Sequence, residues 1–266
     1  MNPLVKLVGF AAVLALAFGG AAFAGSALDV RAGQPKPKPM AMEGEHGKPQ
    51  PVRGLAVSDK GLTLELARTT APRGERFDLT FRIANRRGSV MRFDVEHTKR
   101  MLVIVVRRDM TGFQHVHPTQ RADGTWSVPV TLADAGAYRV FADFSVDETA
   151  HTLAADLNVD GPVAAQALPA PANSVEVDGL TVTKNDLGFI ITRDGRPVAI
   201  QDYLGAKGHL VALREGDLAF LHVHPDERRL QFEATFPTAG RYRLFLQFKT
   251  TDGRLHTAAF TEEVTR

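Results

Sequence analysis

The stretch DAGAYRVFADF, residues 134–144, decides the fold, and a near copy, TAGRYRLFLQF, occupies residues 238–248. In each copy a Tyr opens a run in which every second residue is apolar. Side chains two residues apart lie on the same face of a β-strand. The pattern therefore predicts a strand in each copy, and the residues that face the core are predicted to be Val140, Ala142, Leu244 and Leu246.

The similarity between the two halves extends along the chain. MLVIVVRRDMTGFQHVHP (101–118) aligns without a gap to GHLVALREGDLAFLHVHP (208–225), and His151-Thr152 aligns to His256-Thr257. From residue 55 onward, short runs rich in Val, Leu, Phe and Thr are separated by Gly, Asp and Pro, and no stretch keeps a helical period. These observations predict an all-β chain built from an internal repeat.

The repeat sets the predicted domain boundaries. We expect domain 1 over residues 55–160 and domain 2 over residues 174–266, joined by the Pro- and Ala-rich linker 161–173. Asp134 to Tyr138 resembles the D-x-G-x-Y segment of immunoglobulin-like domains, in which the Tyr hydrogen-bonds back to nearby backbone. The resemblance implies two tandem Greek-key β-sandwiches in which Tyr138 and Tyr242 are structural, and we expect Trp126 to pack in a core.

The N-terminal segment indicates export. An uncharged run from Leu7 to Leu28 contains Ala22-Phe23-Ala24, a small-x-small pattern typical of signal-peptidase cleavage. Residues 1–24 are therefore predicted to be a signal peptide, or an uncleaved membrane anchor because the apolar run is long enough to span a bilayer. Residues 25–54 are rich in Pro, Gly and Lys and are predicted to be a flexible linker.

Composition excludes several functions. The 266 residues contain no Cys, which excludes disulfides and thiolate chemistry. The 32 Lys and Arg residues exceed the 30 Asp and Glu residues by only two, so the sequence does not indicate a nucleic-acid partner. The paired arginines Arg107-Arg108 and Arg228-Arg229 are expected to be solvated turn charges. The sequence lacks G-x-S-x-G, P-loop and dinucleotide motifs, so we expect no enzyme activity. Among the functions considered, a metal hydrolase with a three-histidine site ranks lowest, because no carboxylate or Ser that could act as a general base recurs beside both H-x-H pairs.

Histidines are the main titratable chemistry that remains. Eight of the nine lie in the two repeats, and the two H-x-H pairs each place two imidazoles on one strand face. All eight are candidate metal ligands: His97, His115, His117 and His151 in domain 1, and His209, His222, His224 and His256 in domain 2.

A predicted hairpin makes domain 2 the better candidate site. If Glu215-Gly216 is a two-residue turn, Arg214 faces Asp217 and His209 faces His222, with His224 diagonal to it. His256 is expected near the same end of the sheet, as a ligand or only as a neighbour. Domain 1 has Leu102 in place of His209, so its site is either degenerate or completed by His97 or Met101.

Sites made only of imidazole favour copper, zinc or nickel over magnesium or calcium. We therefore expect copper or zinc as the bound ion. The structural interpretation is that these histidines satisfy backbone groups or pack half-buried, since a repeat copies core residues as readily as ligands.

The sequence also resembles a known family. The strings LVIVVRRDMTGFQHVHP, DGTWSVPVTL, AGAYRVFADF and GHLVALREGDLAFLHVHP are similar to exported bacterial proteins with two immunoglobulin-like domains, often labelled heavy-metal-binding or secreted. The resemblance covers most of residues 50–266 and implies a metal role outside the cytoplasm.

Two functions follow as hypotheses. The first is a non-enzymatic copper- or zinc-binding protein of the cell envelope. The second is an extracytoplasmic immunoglobulin-like interaction or adhesion module, with structural histidines and a protein partner in the envelope. In both, the membrane is contacted only through an uncleaved N-terminal segment.

Overall fold

The computed structural model describes residues 52–96, 98–221, 223–226 and 228–265. The predicted signal or anchor segment 1–24 lies outside the described residues, as do residues 25–51 of the predicted linker and the candidate ligands His97 and His222. Within the described ranges, no helix is long and apolar enough to cross a membrane.

The first repeat forms two sheets. Its strands are β1 (Ser58–Asp59), β2 (Leu62–Leu66), β3 (Thr70–Ala71), β4 (Arg76–Asn85), β5 (Gly88–Ser89), β6 (Leu102–Arg107), β7 (Gln114–Val116), β8 (Thr119–Gln120), β9 (Trp126–Thr131), β10 (Gly136–Val146) and β11 (Thr149–Val159). One sheet has the order β1-β2-β4-β9-β8, with β5 beside β4, and the other has the order β3-β11-β10-β6-β7.

The second repeat is built in the same way. Its strands are β12 (Ser174–Val177), β13 (Leu180–Asn185), β14 (Gly188–Arg193), β15 (Arg196–Pro197), β16 (Ile200–Gln201), β17 (Gly208–Arg214), β18 (Phe220–Leu221), β19 (His224–Pro225), β20 (Phe232–Glu233), β21 (Gly240–Thr250) and β22 (Leu255–Val264). One sheet is β12-β13-β14-β15, the other is β16-β21-β17-β18 with β22 beside β21, and β19 pairs with β20. The predicted all-β, immunoglobulin-like sandwich fold is confirmed.

The tyrosines occupy the predicted corners. Tyr138 Oη donates a hydrogen bond to the carbonyl of Asp134 at 2.9 Å, and Tyr242 Oη donates to the carbonyl of Thr238 at 2.8 Å. Both rings are buried. Each bond fixes the chain at the point where β10 or β21 enters its sheet, so the prediction of structural Tyr residues is confirmed.

Each sandwich has its own apolar core between its sheets. Val140 and Ala142 lie in the first core, and Leu244 and Leu246 lie in the second, as the alternation predicts. Trp126 is also in the first core, edge-on to Phe93 with 5.1 Å between ring centroids. No disulfide supports either core, since the sequence has no cysteine.

Strands β6, β10, β17 and β21 are also buried on the face that points away from their own sandwich core. The two repeats pack against each other on these faces. Both repeats lie within one compact unit, Gly47–Arg266. We call the buried apolar residues between them the interdomain core: Ile104, Val106, Met110, Phe141 and Ala154 from the first repeat and Val211, Leu213, Leu218, Phe220 and Phe245 from the second. These strands are thus buried on both faces, unlike strands with one face in water.

The linker between the repeats is fixed to both of them. Arg107 Nη2 donates to the carbonyl of Ala164 at 3.2 Å, and Asp109 Oδ2 accepts from the backbone N–H of Gln166 at 2.9 Å. On the other side, Arg241 Nη2 donates to the carbonyl of Leu168 at 2.9 Å. The expectation that Arg107 is a solvated charge is wrong, because its side chain is only 5% exposed and is paired with Asp109.

Candidate functional site

The hairpins that carry the H-x-H pairs have a different register from the predicted one. In the second repeat Leu213 pairs with Phe220 and Ala212 pairs with Leu221, where the two-residue turn required Arg214 to pair with Asp217. The expected turn is replaced by a longer loop, in which Arg214 N–H bonds to the carbonyl of Ala219 and Asp217 accepts from both Arg214 and the N–H of Ala219. The register is shifted by two residues, so each residue keeps its predicted face.

The shift changes which histidines the hairpin brings together. Strand β18 ends at Leu221, and His224 belongs to β19, where it pairs with Glu233. The predicted pairing of His209 with His222 across one hairpin is therefore wrong, because the strands pair two residues away from that register. Whether His222 and His224 bind metal stays a prediction, because the described residues do not include His222.

The structure instead brings His115, His117 and His209 together across the two repeats. The ring centroids of His115 and His117 are 4.7 Å apart, and those of His115 and His209 are 5.9 Å apart. His115 pairs with Ile104 in β6, so it lies on the face that forms the interdomain core. We call these three residues the interdomain histidine cluster.

Each ring of the cluster is held by a hydrogen bond. His115 Nδ1 lies 2.5 Å from Gln247 Oε1 of the other repeat, His117 Nδ1 lies 3.4 Å from the carbonyl of Met101, and His209 Nε2 lies 3.1 Å from the carbonyl of Tyr203. All three acceptors are carbonyl or amide oxygens, so the histidine nitrogen donates in each bond. The bond from His115 to Gln247 joins the two repeats directly.

Burial favours the neutral form of His115 and His117. The pKa of His115 is lowered to about 3, mainly by desolvation and next by the neighbouring His117. Desolvation also lowers the pKa of His117. Neutral imidazole is the form that binds metal ions.

His151 and His256 occupy matching positions elsewhere, inside each sandwich. His256 stacks on Phe248, its Nδ1 donates to Asp178 Oδ2 at 2.7 Å, and its Nε2 hydrogen-bonds with Thr250 Oγ1 at 3.0 Å. Phe248 belongs to the second core, whereas His209 pairs with Gln247 on the opposite face. His256 is thus near His209 along the sheet but separated from it by the sheet itself.

His151 repeats this arrangement in the first sandwich. It stacks on Phe144 with 5.4 Å between centroids, and its Nδ1 lies 3.5 Å from Asp59 Oδ2. Burial is the main cause that lowers its pKa. Both residues therefore act as packing elements next to an aspartate of the facing sheet.

Two polar residues at equivalent positions of the repeats, Asp143 and Gln247, border the histidine cluster. Asp143 accepts a hydrogen bond from Thr152 Oγ1 at 2.6 Å, and at the equivalent place Gln247 Nε2 donates to Thr257 Oγ1 at 3.1 Å. Burial raises the pKa of Asp143 to about 6. The signal in the sequence is the polar residue between two phenylalanines in FADF (141–144) and FLQF (245–248).

In the part of the chain that the structure describes, no group of three or more His, Asp or Glu side chains is arranged to hold a metal ion. Asp143, His115 and His209 do line one small cavity at the interdomain face, together with apolar residues such as Leu102 and Phe220. The interdomain histidine cluster therefore consists of the close pair His115 and His117, with His209 farther from His115, inside a largely apolar interface.

Comparison with solved structures gives distant similarities. The chain is similar to Salmonella alpha-2-macroglobulin reacted with methylamine, with 14% identity and a TM-score of 0.30 over 81% of this chain and 15% of that one. It is similar to the Escherichia coli adhesin FdeC, with 16% identity and a TM-score of 0.29 over 79% of this chain and 66% of that one. It is similar to the titin fragment A168169, with 13% identity and a TM-score of 0.23 over 76% of this chain and 96% of that one. The chain thus spans only a small part of the macroglobulin.

No curated protein matches this chain. A family described as "Domain of unknown function (DUF8832)", whose description names neither an activity nor a metal, matches residues 56–161 and 174–266. Because these residues make up most of the chain, the chain belongs to that family.

Proposed function

We propose that this protein is an exported, non-enzymatic interaction or adhesion module of the cell envelope, in which most of the histidines serve the fold and the interface between the two sandwiches. The observation that carries the proposal is the interdomain core, which fixes the two repeats as one body. Export is supported by the apolar N-terminal run and its small-x-small site.

The interdomain core determines which surfaces remain for a partner. Strands β6, β10, β17 and β21 are covered on both faces, so a partner must bind elsewhere. Exposed apolar side chains mark two such places: Ile190 on β14 and Val95 before the loop to β6, which are 62% and 63% exposed. Single exposed apolar residues are common, so these positions serve as probes of the outer surface.

Site-specific photo-cross-linking tests the proposal. A photoreactive residue is placed at Ile190 or Val95 of the full chain in the cell that exports it, and exposed Arg86 is the matched control position. We expect a discrete adduct from Ile190 or Val95 that excess purified wild-type chain suppresses. Absence of adducts at both positions would reject the module function.

A second candidate, an exported copper- or zinc-binding protein, is supported by one specific observation. Nε2 of His115 and Nε2 of His117 are buried and have no hydrogen-bond partner in the part of the chain that the structure describes. Titration of tag-free, metal-free protein with Cu(II) and Zn(II) tests this function, and absence of binding rejects it. Substituting the histidines in a purely structural protein should lower stability equally with and without metal.

A further inference from the structure

Among the described residues, two ring nitrogens inside the interface have no hydrogen-bond partner. They are Nε2 of His115 and Nε2 of His117, and each is fully removed from solvent. A buried polar atom without a partner costs free energy comparable to a lost hydrogen bond. Two such atoms on neighbouring rings indicate a ligand that both can bind.

The hydrogen bonds of the other ring nitrogens define what that ligand is. Nδ1 of His115 donates to Gln247 Oε1, and Nδ1 of His117 donates to the carbonyl of Met101, so in a neutral ring Nε2 carries a lone pair. Gln247 is itself oriented, because its Nε2 donates to Thr257 Oγ1. Histidines that bind metal ions typically donate the other ring N–H in this way to a carbonyl or carboxylate.

The spacing of the rings also suits one shared ion. At a metal–nitrogen distance of about 2.0–2.1 Å, two imidazoles on one ion have centroids roughly 4.5–5.2 Å apart for angles near 90–110°. The observed centroid distance is 4.7 Å, with 63° between the ring planes. The distance between the ring centroids is therefore compatible with both rings binding one ion.

We infer that a Cu(II) or Zn(II) ion binds between Nε2 of His115 and Nε2 of His117, and that the second repeat completes this site by orienting His115 through Gln247. The inference rests on the second candidate function. It places the site on the first repeat and at the interface, whereas the sequence favoured the second repeat. Because Gln247 can orient His115 only when the repeats are docked, the ion binds the docked form more tightly and so stabilises it.

Calorimetric titration of the full chain, purified without an affinity tag, tests the site. We expect one equivalent of Cu(II) or Zn(II) to bind and to raise the unfolding temperature. His117→Ala should abolish this binding, and Gln247→Leu should weaken it by about 10–100-fold, the usual effect of losing a partner that orients a ligand. For Cu(II), the nitrogen hyperfine pattern in electron paramagnetic resonance should indicate two imidazoles.

The second H-x-H pair provides the matched control. His222→Ala with His224→Ala removes the equivalent motif of the other repeat and should leave the affinity unchanged. If that variant loses the ion and His117→Ala retains it, the proposed site is wrong while the metal-binding function stands. If the wild-type chain binds neither ion, with a buried water at the two nitrogens instead, both are rejected.

Discussion

Phe113 of the first repeat lies flat on Phe245 of the second, with 4.0 Å between ring centroids and 8° between ring planes. In the sequence repeat, Phe113 aligns with Phe220 and Phe141 aligns with Phe245. The rings of Phe141 and Phe220 also lie near each other, with 5.6 Å between their centroids. The same two positions therefore meet twice with their roles exchanged, as in a symmetric dimer interface. The two sandwiches are packed as a covalently linked pseudo-dimer.

The stacked phenylalanines should contribute directly to stability. Phe113→Ala removes a half-buried ring from the interface, and we expect the free energy of unfolding in urea to fall by about 1.5–3 kcal/mol. Ile190→Ala, at an exposed position, should change it by less than about 0.5 kcal/mol. Equal effects of the two substitutions would show that the repeats do not depend on this contact.

Gly54 should be intolerant of a side chain. It has a φ of +72°, and an added Cβ would lie 2.7 Å from Phe141 Cε1 and 2.9 Å from Phe220 Cβ, between the two repeats. We expect Gly54→Ala to destabilise the protein by about 2–4 kcal/mol, from backbone strain and overpacking together.

Gly74 is a suitable comparison for Gly54, since its φ is +69° and no atom of the described residues lies within 4 Å of an added Cβ. Gly74→Ala should cost only about 1 kcal/mol, the part due to backbone strain. Thermal or chemical unfolding of both variants measures the difference, and similar losses would contradict a close approach of the repeats at Gly54.

Asp143 should make stability depend on pH. Its pKa is raised from 3.8 to about 6 in the folded state, mainly by burial, so its contribution is fully present below pH 3.8 and is lost as pH rises toward 6. Asp143→Asn keeps the acceptor for Thr152 and removes the buried charge. We expect a gain of about 1–2 kcal/mol at pH 7.5 and almost none at pH 3.5.

Urea unfolding at both pH values checks this expectation. Asp194→Asn, at an exposed turn position, is the control for the same change of charge without burial. A gain that is the same at both pH values would argue against a buried charge at Asp143.

His256 should behave as a structural residue. His256→Ala removes the stacking on Phe248 and the bonds to Asp178 and Thr250, and we expect a loss of about 2–4 kcal/mol. His151→Ala should cost less, because its contact with Asp59 is longer, at 3.5 Å. Neither substitution should change metal affinity in calorimetry, and a loss of affinity in folded His256→Ala would assign it a ligand role.

The sequence was sufficient for the local fold because that information is local. The alternation around Val140 and Leu244 and the corner at Tyr138 depend on neighbouring residues only, and both are confirmed. The two-residue turn predicted after Arg214 is wrong, although Glu215-Gly216 has the composition of such a turn. The side chain of Asp217 instead bonds to Arg214 and to the N–H of Ala219, which stabilises a longer loop.

The interface between the two repeats is not among the predictions from the sequence, although the sequence contains a signal for it. The uninterrupted apolar run Leu102–Val106 lacks the alternation of a strand with one face in water, and such runs indicate burial on both faces. The contact from His115 to Gln247 was not predictable, because 132 positions separate the two residues and only the docking of the repeats brings them together.

The pseudo-dimeric packing sets an upper limit on how this architecture can grow. Chains of sandwiches joined end to end can be lengthened without limit, since every added unit presents a fresh attachment point. Here the apolar outer face of each repeat is already buried against the other repeat. This face is therefore not available to a further copy. A third copy added by duplication would find nowhere equivalent to attach, and would need a newly evolved contact to belong to the same body.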